Sequence, residues 1–163
     1  MYKIFFKRFL DIVLSCIALL VLGIPMLIFA VIVRFDVGSP VLFGQKRIGK
    51  GNKEFKLWKY RSMTNERDAN GVFLPDTERI TRFGNFIRKS SIDELPSLLN
   101  ILMGDMSIIG PRPLPTRYLK RYTEEQKRRH EVRPGLSSPS VVKGRNDQSW
   151  DAQFKGDVWY VDH

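Results

Sequence analysis

The sequence is poor in the side chains that build disulfides, zinc sites and histidine-dependent active sites. Its 163 residues include a single cysteine, Cys16, so no disulfide can form within the chain. The two histidines, His130 and His163, are far apart in the sequence. This scarcity argues against cysteine-rich metal sites, zinc hydrolases and Ser-His-Asp catalysis. The sequence also contains no internal repeat and no low-complexity segment.

Acidic residues are outnumbered as well. The chain has 27 Lys and Arg against 17 Asp and Glu, which gives a formal net charge of +10. This excess predicts an anionic partner, and the charge alone does not choose among phosphates, nucleic acid and an acidic membrane surface. The length predicts one folded domain with an appendage.

The appendage is predicted at the N-terminus. Residues 12–33 carry no formal charge and are nearly all apolar, and a helix of that length reaches across the bilayer core. We therefore predict a membrane anchor over residues 1–36 and a folded domain over residues 37–163. No small-residue cleavage site follows the apolar run, which argues against a cleaved signal peptide. A spanning helix and a re-entrant helix remain as alternatives.

Two features favour the re-entrant helix, which enters and leaves the membrane on one face. Pro25 lies in the middle of the run, and proline kinks a helix because it lacks a backbone donor and clashes with the preceding turn. Basic residues tend to stay on the cytoplasmic side, and a kinked hairpin keeps both basic flanks there. These flanking residues are Lys3, Lys7, Arg8, Arg34, Lys46 and Arg47.

The rest of the sequence predicts a mixed α/β domain that is mostly helical. A short β-hairpin is expected from strands near residues 41–43 and 55–60, with a turn at 49–52. Residues 64–79 are polar and are expected to form a loop. Short amphipathic helices that lie on the membrane surface are predicted at residues 80–89, 95–103 and 116–131, the last broken at the capping-box pattern that begins at Thr123.

Two adjacent carboxylates, Asp93 and Glu94, stand at the predicted start of a helix. Ser91 and Glu94 have the spacing of a capping box, which makes helix capping the simplest interpretation. Alternatively, the helix N-terminus and nearby arginines hold Asp93 ionised, and it attacks a phosphate as a nucleophile. Taken alone, this segment favours capping over catalysis.

Basic residues in other segments are candidates for binding phosphate. Arg112 lies between Pro111 and Pro113, which restrict its backbone and preorganise it for bidentate phosphate binding. Strand alternation places Lys59 and Arg61 on one face. Each arrangement is equally consistent with a turn or with a solvated cation.

Two glycine-containing segments extend this pattern towards the C-terminus. Gly135 and Gly144 each follow or precede an arginine, in Arg133-Pro134-Gly135 and in Gly144-Arg145-Asn146. Glycine allows backbone amides to approach an anion, and Arg145 adds a positive charge.

Taken together, these segments resemble one family. The chain is similar along its whole length to the bacterial sugar transferases, the monotopic phosphoglycosyl transferases, and in size to their small forms. The resemblance rests on six segments that occur in the order of the family: residues 59–63 (KYRSM), 91–96 (SIDELP), 104–107 (GDMS), 110–113 (GPRP), 133–135 (RPG) and 144–146 (GRN).

The resemblance implies a function at the cytoplasmic face of the bacterial inner membrane. It implies transfer of a phospho-sugar from a UDP-sugar to polyprenol (undecaprenyl) phosphate, with release of UMP. Asp93 would be the nucleophile and would hold Mg²⁺, and Glu94 would orient or deprotonate the acceptor. Phosphate would be bound by Arg112 with the supporting cations Lys59, Arg61, Arg88 and Arg145. Pro111, Pro113 and the kink at Pro25 would be structural supports.

Two alternatives accompany this interpretation. Residues 136–143 depart from the family pattern, which suggests an inactive family member. The basic composition suggests a membrane-tethered protein that binds anionic lipid or nucleic acid, although such a protein does not account for the carboxylate pair, and we expect no nucleic-acid partner. Because the family usually continues beyond the position of His163, a C-terminally truncated catalytic domain is expected.

Overall fold

A computed structural model describes residues 2–138 and 149–163. The chain begins with one 35-residue helix, α1 (Tyr2–Asp36), which continues through Pro25. Within its segment from Phe5 to Asp36, the most apolar window of 18 residues has a mean hydropathy of 3.0, and only 6% of that window is buried. By length and composition α1 is able to cross a membrane, and most of its apolar surface is left uncovered by the protein.

The buried positions of α1 form one stripe at helical spacing. Asp11, Ser15 and Val33 are buried, whereas Leu20 and Phe35 on other faces are 83% and 85% exposed. A one-sided stripe is the pattern of a helix that packs against a single body. The predicted apolar anchor helix is present, while its re-entrant course stays a prediction.

A β-hairpin follows α1, as predicted. Strands β1 (Leu42–Ile48) and β2 (Glu54–Tyr60) pair antiparallel, with a register that runs from Leu42 opposite Tyr60 to Ile48 opposite Glu54. The connection contains Gly51 with φ of +65°, a backbone conformation that favours glycine. The hairpin confirms the mixed α/β class.

Short helices form the centre of the domain: α2 (Asp76–Arg79), α3 (Arg82–Lys89), a 3₁₀ turn (Ile92–Ser97) and α4 (Leu98–Met103). The side chain of Thr81 caps α3 by accepting from the Gly84 amide at 2.8 Å. The helix expected at residues 95–103 is divided between the 3₁₀ turn and α4. The predicted loop over residues 64–79 ends in α2.

A parallel pair of short strands, β3 (Ser107–Ile109) and β4 (Gly135–Ser137), was not predicted. The pairing depends on glycine, since a Cβ on Gly110 would clash with the carbonyl of Arg133 and one on Gly135 with the Gly110 backbone. The Gly135 amide donates to the carbonyl of Pro111 at 2.9 Å. The expectation that Gly135 presents its amide to an anion is therefore wrong, because that amide is used within the fold.

The C-terminal part is built from short turns and one longer helix. The predicted break at Thr123 is confirmed, and Thr123 and Gln126 make the reciprocal capping box. The elements are a 3₁₀ turn (Thr116–Arg121), α5 (Glu124–Lys127), a second 3₁₀ turn (Arg128–Glu131) and α6 (Trp150–Asp162). A buried ion pair between Arg129 and Asp157, with N–O distance 2.8 Å, joins α6 to the second turn.

Two apolar clusters hold these elements together. One contains Val33, Val37, Tyr60 and Ile87, and the other contains Leu57, Leu98, Ile101 and Met106. The anchor helix contributes to both, through Phe29 and Ala30 in the first and Ala18 and Leu19 in the second. Thus α1 packs against the domain in both halves.

Buried Asn100 locks α4 onto the hairpin. Its side-chain oxygen accepts from the Trp58 amide at 3.0 Å, and its side-chain nitrogen donates to the carbonyl of Lys56 at 2.8 Å. These bonds fix the 3₁₀ turn that precedes α4 against β2. As a result, Asp93 and Glu94 lie beside the end of the strand that carries Lys59.

Candidate active site

A polar cleft of about 650 Å³ lies between the hairpin, the segment after β2 and the 3₁₀ turn. Four of the predicted site residues line it together: Lys59, Arg61, Arg88 and Asp93. Three further cations that were not predicted as site residues line the same cleft, namely Arg47, Arg79 and Arg117. The cleft therefore presents six cationic side chains to whatever enters it.

Glu94 is held by two of the predicted cations. Lys59 Nζ and Arg112 Nη2 each lie 2.8 Å from Glu94 Oε1. Burial opposes ionisation of this carboxyl, but Arg112 and Lys59 more than offset it, so the pKa of Glu94 lies below its ordinary value. Glu94 is thus an ionised anchor that fixes the positions of Lys59 and Arg112.

Asp93 is in a different environment, although it is the adjacent residue. Its side chain is nearly buried, with 9% relative exposure, and lines the cleft. Burial raises the pKa of Asp93 above its ordinary value, Glu94 adds to the rise, and Lys59 and Arg88 oppose it. The two neighbouring carboxyls are therefore shifted in opposite directions, which is an arrangement typical of sites where two acids have separate roles.

Two expectations about this segment are corrected. Ser91 makes no side-chain cap bond and has φ of +61°, and the Glu94 side chain turns to Lys59 and Arg112, so the predicted capping box is absent. Asp93 was expected to be held ionised by a helix N-terminus and nearby arginines. The six-residue 3₁₀ turn provides no α-helical N-terminus, and desolvation prevails over the cations.

The backbone around Arg112 is held from two sides. The carbonyl of Arg112 accepts a hydrogen bond from Arg129 Nη2 at 2.6 Å, and the carbonyl of Pro113 accepts one from Arg47 Nη1 at 3.1 Å. Pro111 is fully buried. This fixed backbone directs the Arg112 side chain to Glu94, in a small cavity of about 20 Å³ that Arg47 and Lys59 also line.

The remaining predicted residues lie elsewhere. Pro25 is on the anchor helix, and Arg145 falls outside the described residues, as do positions 139–143 of the divergent segment. Of the three cations that were not predicted, strand alternation could have identified Arg47. It lies two residues after Gln45 on β1, so both side chains share one face of the strand, and both line the cleft. Arg79 and Arg117 have no local pattern that identifies them.

Within residues 2–138 and 149–163, no group of three or more His, Cys, Asp or Glu side chains is arranged to hold a metal. Asp93 and Asp76 do line the cleft. Mg²⁺ is commonly bound through one or two carboxylates, with substrate phosphates and water completing its octahedron. The donor set therefore fits a Mg²⁺ ion that binds together with a phosphorylated substrate.

The chain thus combines an apolar, largely uncovered helix with a cationic cleft that is lined by the nearly buried carboxyl of Asp93. The chain belongs to the bacterial sugar transferase family, whose sequence profile matches residues 2–163. This family assignment confirms the resemblance that the six sequence segments suggested.

Among its relatives, an uncharacterized sugar transferase, EpsL, of Bacillus subtilis is 50% identical over 96% of this chain and 78% of its own length. A UDP-N-acetylgalactosamine-undecaprenyl-phosphate N-acetylgalactosaminephosphotransferase of Aeromonas hydrophila is 40% identical over 96% of this chain. An undecaprenyl-phosphate galactose phosphotransferase of Salmonella typhimurium is 37% identical, also over 96%. The chain spans only 39% and 36% of these two longer proteins.

Proposed function

We propose that the protein transfers a sugar 1-phosphate from a UDP-sugar to undecaprenyl phosphate, releasing UMP, as the first membrane step of glycoconjugate biosynthesis. The observation that carries this proposal is the nearly buried carboxyl of Asp93 in a cleft lined by six cations. A negatively charged group so placed can react with a phosphate only because the surrounding cations neutralise the repulsion between them. The names of the Aeromonas and Salmonella relatives support the choice of lipid.

The reaction proceeds in two displacements at one phosphorus. A carboxylate oxygen of Asp93 attacks the phosphorus attached to the sugar, and the bond to the bridging oxygen breaks, so that UMP leaves with the electron pair. The product is an aspartyl phospho-sugar. A phosphate oxygen of the lipid then attacks the same phosphorus, and the Asp93 carboxylate is released.

The cations and Glu94 position the phosphates for these steps. Arg61 and Arg88 line the cleft beside Asp93 and are placed to neutralise the diphosphate. The lowered pKa of Glu94 makes it a weak base, so it orients the acceptor through Lys59 and Arg112 rather than removing a proton. Mg²⁺ held by Asp93 and the substrate would supply further charge neutralisation to the diphosphate.

The contacts of α1 support the re-entrant course. Near its start, Arg8 donates to the carbonyls of Ile101 and Leu102 at 2.6 and 3.0 Å, and near its end Val33 is buried in the cluster with Tyr60. These contacts are roughly 40 Å apart on a straight helix, whereas the hydrocarbon core is about 30 Å thick. A spanning helix would draw the polar domain surface into the bilayer, so we propose that α1 dips into the cytoplasmic leaflet of the inner membrane and returns.

The test is turnover with the purified full chain in detergent or nanodiscs. The protein is incubated with Mg²⁺, undecaprenyl phosphate and a panel of UDP-sugars, and UMP is measured. Asp93→Asn should abolish UMP release and also the covalent adduct, which is detected by mass spectrometry. Asp68→Asn, a change at an exposed aspartate, should alter neither. UMP release that persists in Asp93→Asn would refute the nucleophile. A folded protein that releases no UMP with any sugar would point instead to an inactive, lipid-binding family member.

A further inference from the structure

Unpartnered polar atoms are concentrated in one part of the cleft. Among the described residues, eight buried side-chain nitrogen or oxygen atoms have no hydrogen-bond partner, and five of these belong to residues that line the cleft. They are Arg47 Nε, Arg61 Nε, Arg61 Nη1, Thr64 Oγ1 and Arg79 Nε. A buried donor without an acceptor costs roughly 1–3 kcal/mol, so such a concentration is expected where a ligand supplies the acceptors.

The backbone brings two of these residues side by side. The amide of Thr64 donates to the carbonyl of Arg79 at 2.9 Å, and Met63 pairs with Ile80 in an isolated β-bridge. Since Thr64 and Arg79 are far apart in sequence, this pairing is a feature of the fold that no local motif indicates. It places a hydroxyl beside a guanidinium at the edge of the cleft.

The same pairing connects the group to the reactive carboxyl. Arg79 Nη2 and Arg88 Nη1 each lie 3.9 Å from the sulfur of Met63, so these two guanidinium nitrogens are no more than twice that distance apart. Arg88 in turn acts electrostatically on Asp93. Arg79 and Arg88 therefore meet at Met63, and Asp93 lines the same cleft.

The cations of the cleft differ in what they already bind. Lys59 is paired with Glu94, Arg47 donates to Gln45 and to the carbonyl of Pro113, and Arg79 uses Nη2 in an ion pair with Asp76 at 3.0 Å while its Nε stays unpartnered among the described residues. In contrast, two nitrogens of Arg61 are buried with no partner in the described part of the chain. An anion that enters this side of the cleft therefore meets donors that are not yet used.

We infer that Arg61, Thr64 and Arg79 form a phosphate subsite that binds the phosphate of a nucleoside monophosphate. The inference rests on the proposed function, in which the phosphate that leaves with the nucleoside must lie beyond the phosphate attacked by Asp93. Arg88 meets Arg79 of this group at the sulfur of Met63 and lines the cleft together with Asp93, as a cation that contacts two adjacent phosphates would. The subsite holds the leaving group of the first displacement and is empty in the second.

The decisive variant is Thr64→Val, which removes the hydroxyl and keeps the shape of the side chain. Binding of UMP is measured by titration calorimetry with the full-length protein in detergent, in an Asp93→Asn background that prevents turnover. A hydroxyl that only binds ligand should raise the Kd for UMP about tenfold when removed, as expected for a hydrogen bond to a charged group. Because Thr64 Oγ1 has no partner among the described residues, the melting temperature of the variant should stay the same or rise.

A second variant tests the arginine. Arg79→Lys keeps the charge but removes the Nε donor, and it should also weaken UMP binding about tenfold. The matched control is Arg82→Lys, the same change at an exposed arginine three residues further on, which should leave the Kd unchanged. Parallel titrations use inorganic phosphate and a water-soluble short-chain prenyl phosphate, to separate the nucleotide from the lipid acceptor as the source of the phosphate.

The outcomes separate the subsite from the reaction. An unchanged Kd for UMP in both Thr64→Val and Arg79→Lys, when the protein with Asp93 intact turns over, overturns the subsite and leaves the transferase standing. A loss confined to the prenyl phosphate overturns the assignment to the nucleotide. A melting temperature of Thr64→Val that falls below the value before the substitution shows that the hydroxyl is structural. This result also overturns the subsite. Failure of the wild type to release UMP from any UDP-sugar refutes the proposed function separately.

Discussion

At the scale of single residues, the site depends on the contrast between two adjacent carboxyls. Asp93 and Glu94 are covalent neighbours, yet the pKa of the first is raised and that of the second lowered. The difference arises because the two side chains have different surroundings. The Glu94 side chain points to Lys59 and Arg112, whereas the Asp93 side chain is buried at the cleft. An acid with a raised pKa is thereby kept beside one whose pKa is lowered.

This contrast predicts a pH effect. A carboxylate nucleophile is active only above its pKa, so the acidic limb of kcat/KM should lie above the pH expected for an ordinary aspartate. Since Glu94 contributes to the raised pKa of Asp93, Glu94→Gln should move that limb to lower pH while reducing the maximal rate. Glu78→Gln, at an exposed glutamate, is the control and should leave the limb in place. An acidic limb of kcat/KM that stays at the same pH, or moves to higher pH, in Glu94→Gln contradicts the coupling between the two carboxyls.

At the scale of elements, the cleft depends on how closely α3 approaches the segment after β2. A Cβ on Gly84 would overlap the carbonyl of Ser62, which is backbone and has little freedom to move. Gly84→Ala should therefore cost about 1–3 kcal/mol of stability and displace the cleft lining, lowering activity beyond the loss of folded protein. Thermal unfolding and kcat/KM are the measurements. The control is Asn85→Ala, an exposed position of the same helix, where a comparable loss would show that α3 itself is fragile.

Much of the element structure is predictable from sequence, because it follows from local patterns. Two strand-like segments with a turn between them predicted the hairpin, and the pattern at Thr123 predicted the helix break. The pairing of β3 with β4 was missed, since a three-residue strand has no periodicity and depends on the contact between Gly110 and Gly135. The predicted cap at Ser91 was wrong because Lys59 and Arg112, which are distant in sequence, determine where the Glu94 side chain points. Arg79 is near Thr64 only through tertiary pairing.

At the scale of the whole molecule, two buried groups make the free energy of unfolding depend on pH in opposite directions. Burial raises the pKa of Asp157 to about 6, although Arg129 opposes the rise, so the folded state holds a proton that the unfolded state releases above about 4. This favours folding at low pH and the contribution is lost as pH rises to about 6. Burial, with Arg129 nearby, lowers the pKa of His130 to about 4. The unfolded histidine binds a proton below about 6.5, so its contribution to stability is lost as pH falls.

The two contributions should nearly cancel in the wild type between pH 4 and 6. In Asp157→Asn only the histidine contribution remains, so the free energy of unfolding should rise by roughly 3 kcal/mol from pH 4 to 6. In His130→Gln only the aspartate contribution remains, and the free energy of unfolding should fall by a similar amount. Unfolding midpoints in detergent at a series of pH values measure both slopes. Asp157→Asn also leaves Arg129 without its partner, so the slope and not the absolute stability is diagnostic. Glu125→Gln, at an exposed site, should keep the wild-type slope; equal slopes in all three variants would disprove the account.

The course of α1 can be tested on the intact membrane. In a Cys16→Ser background, Phe6→Cys and Phe35→Cys each place a thiol at an exposed position near one end of the helix. A re-entrant helix predicts that a membrane-impermeant maleimide labels both thiols in inverted vesicles and neither in intact spheroplasts. Labelling of one thiol in each preparation would establish a spanning helix instead.

The packing of α1 into both apolar clusters also has a consequence for biogenesis. Val33 and Val37 share a cluster with Tyr60 and Ile87, and Ala18 and Leu19 pack against the cluster that contains Ile101. A chain whose first helix is not packed against the domain can complete neither cluster. The domain therefore reaches its stable fold only once α1 is in place.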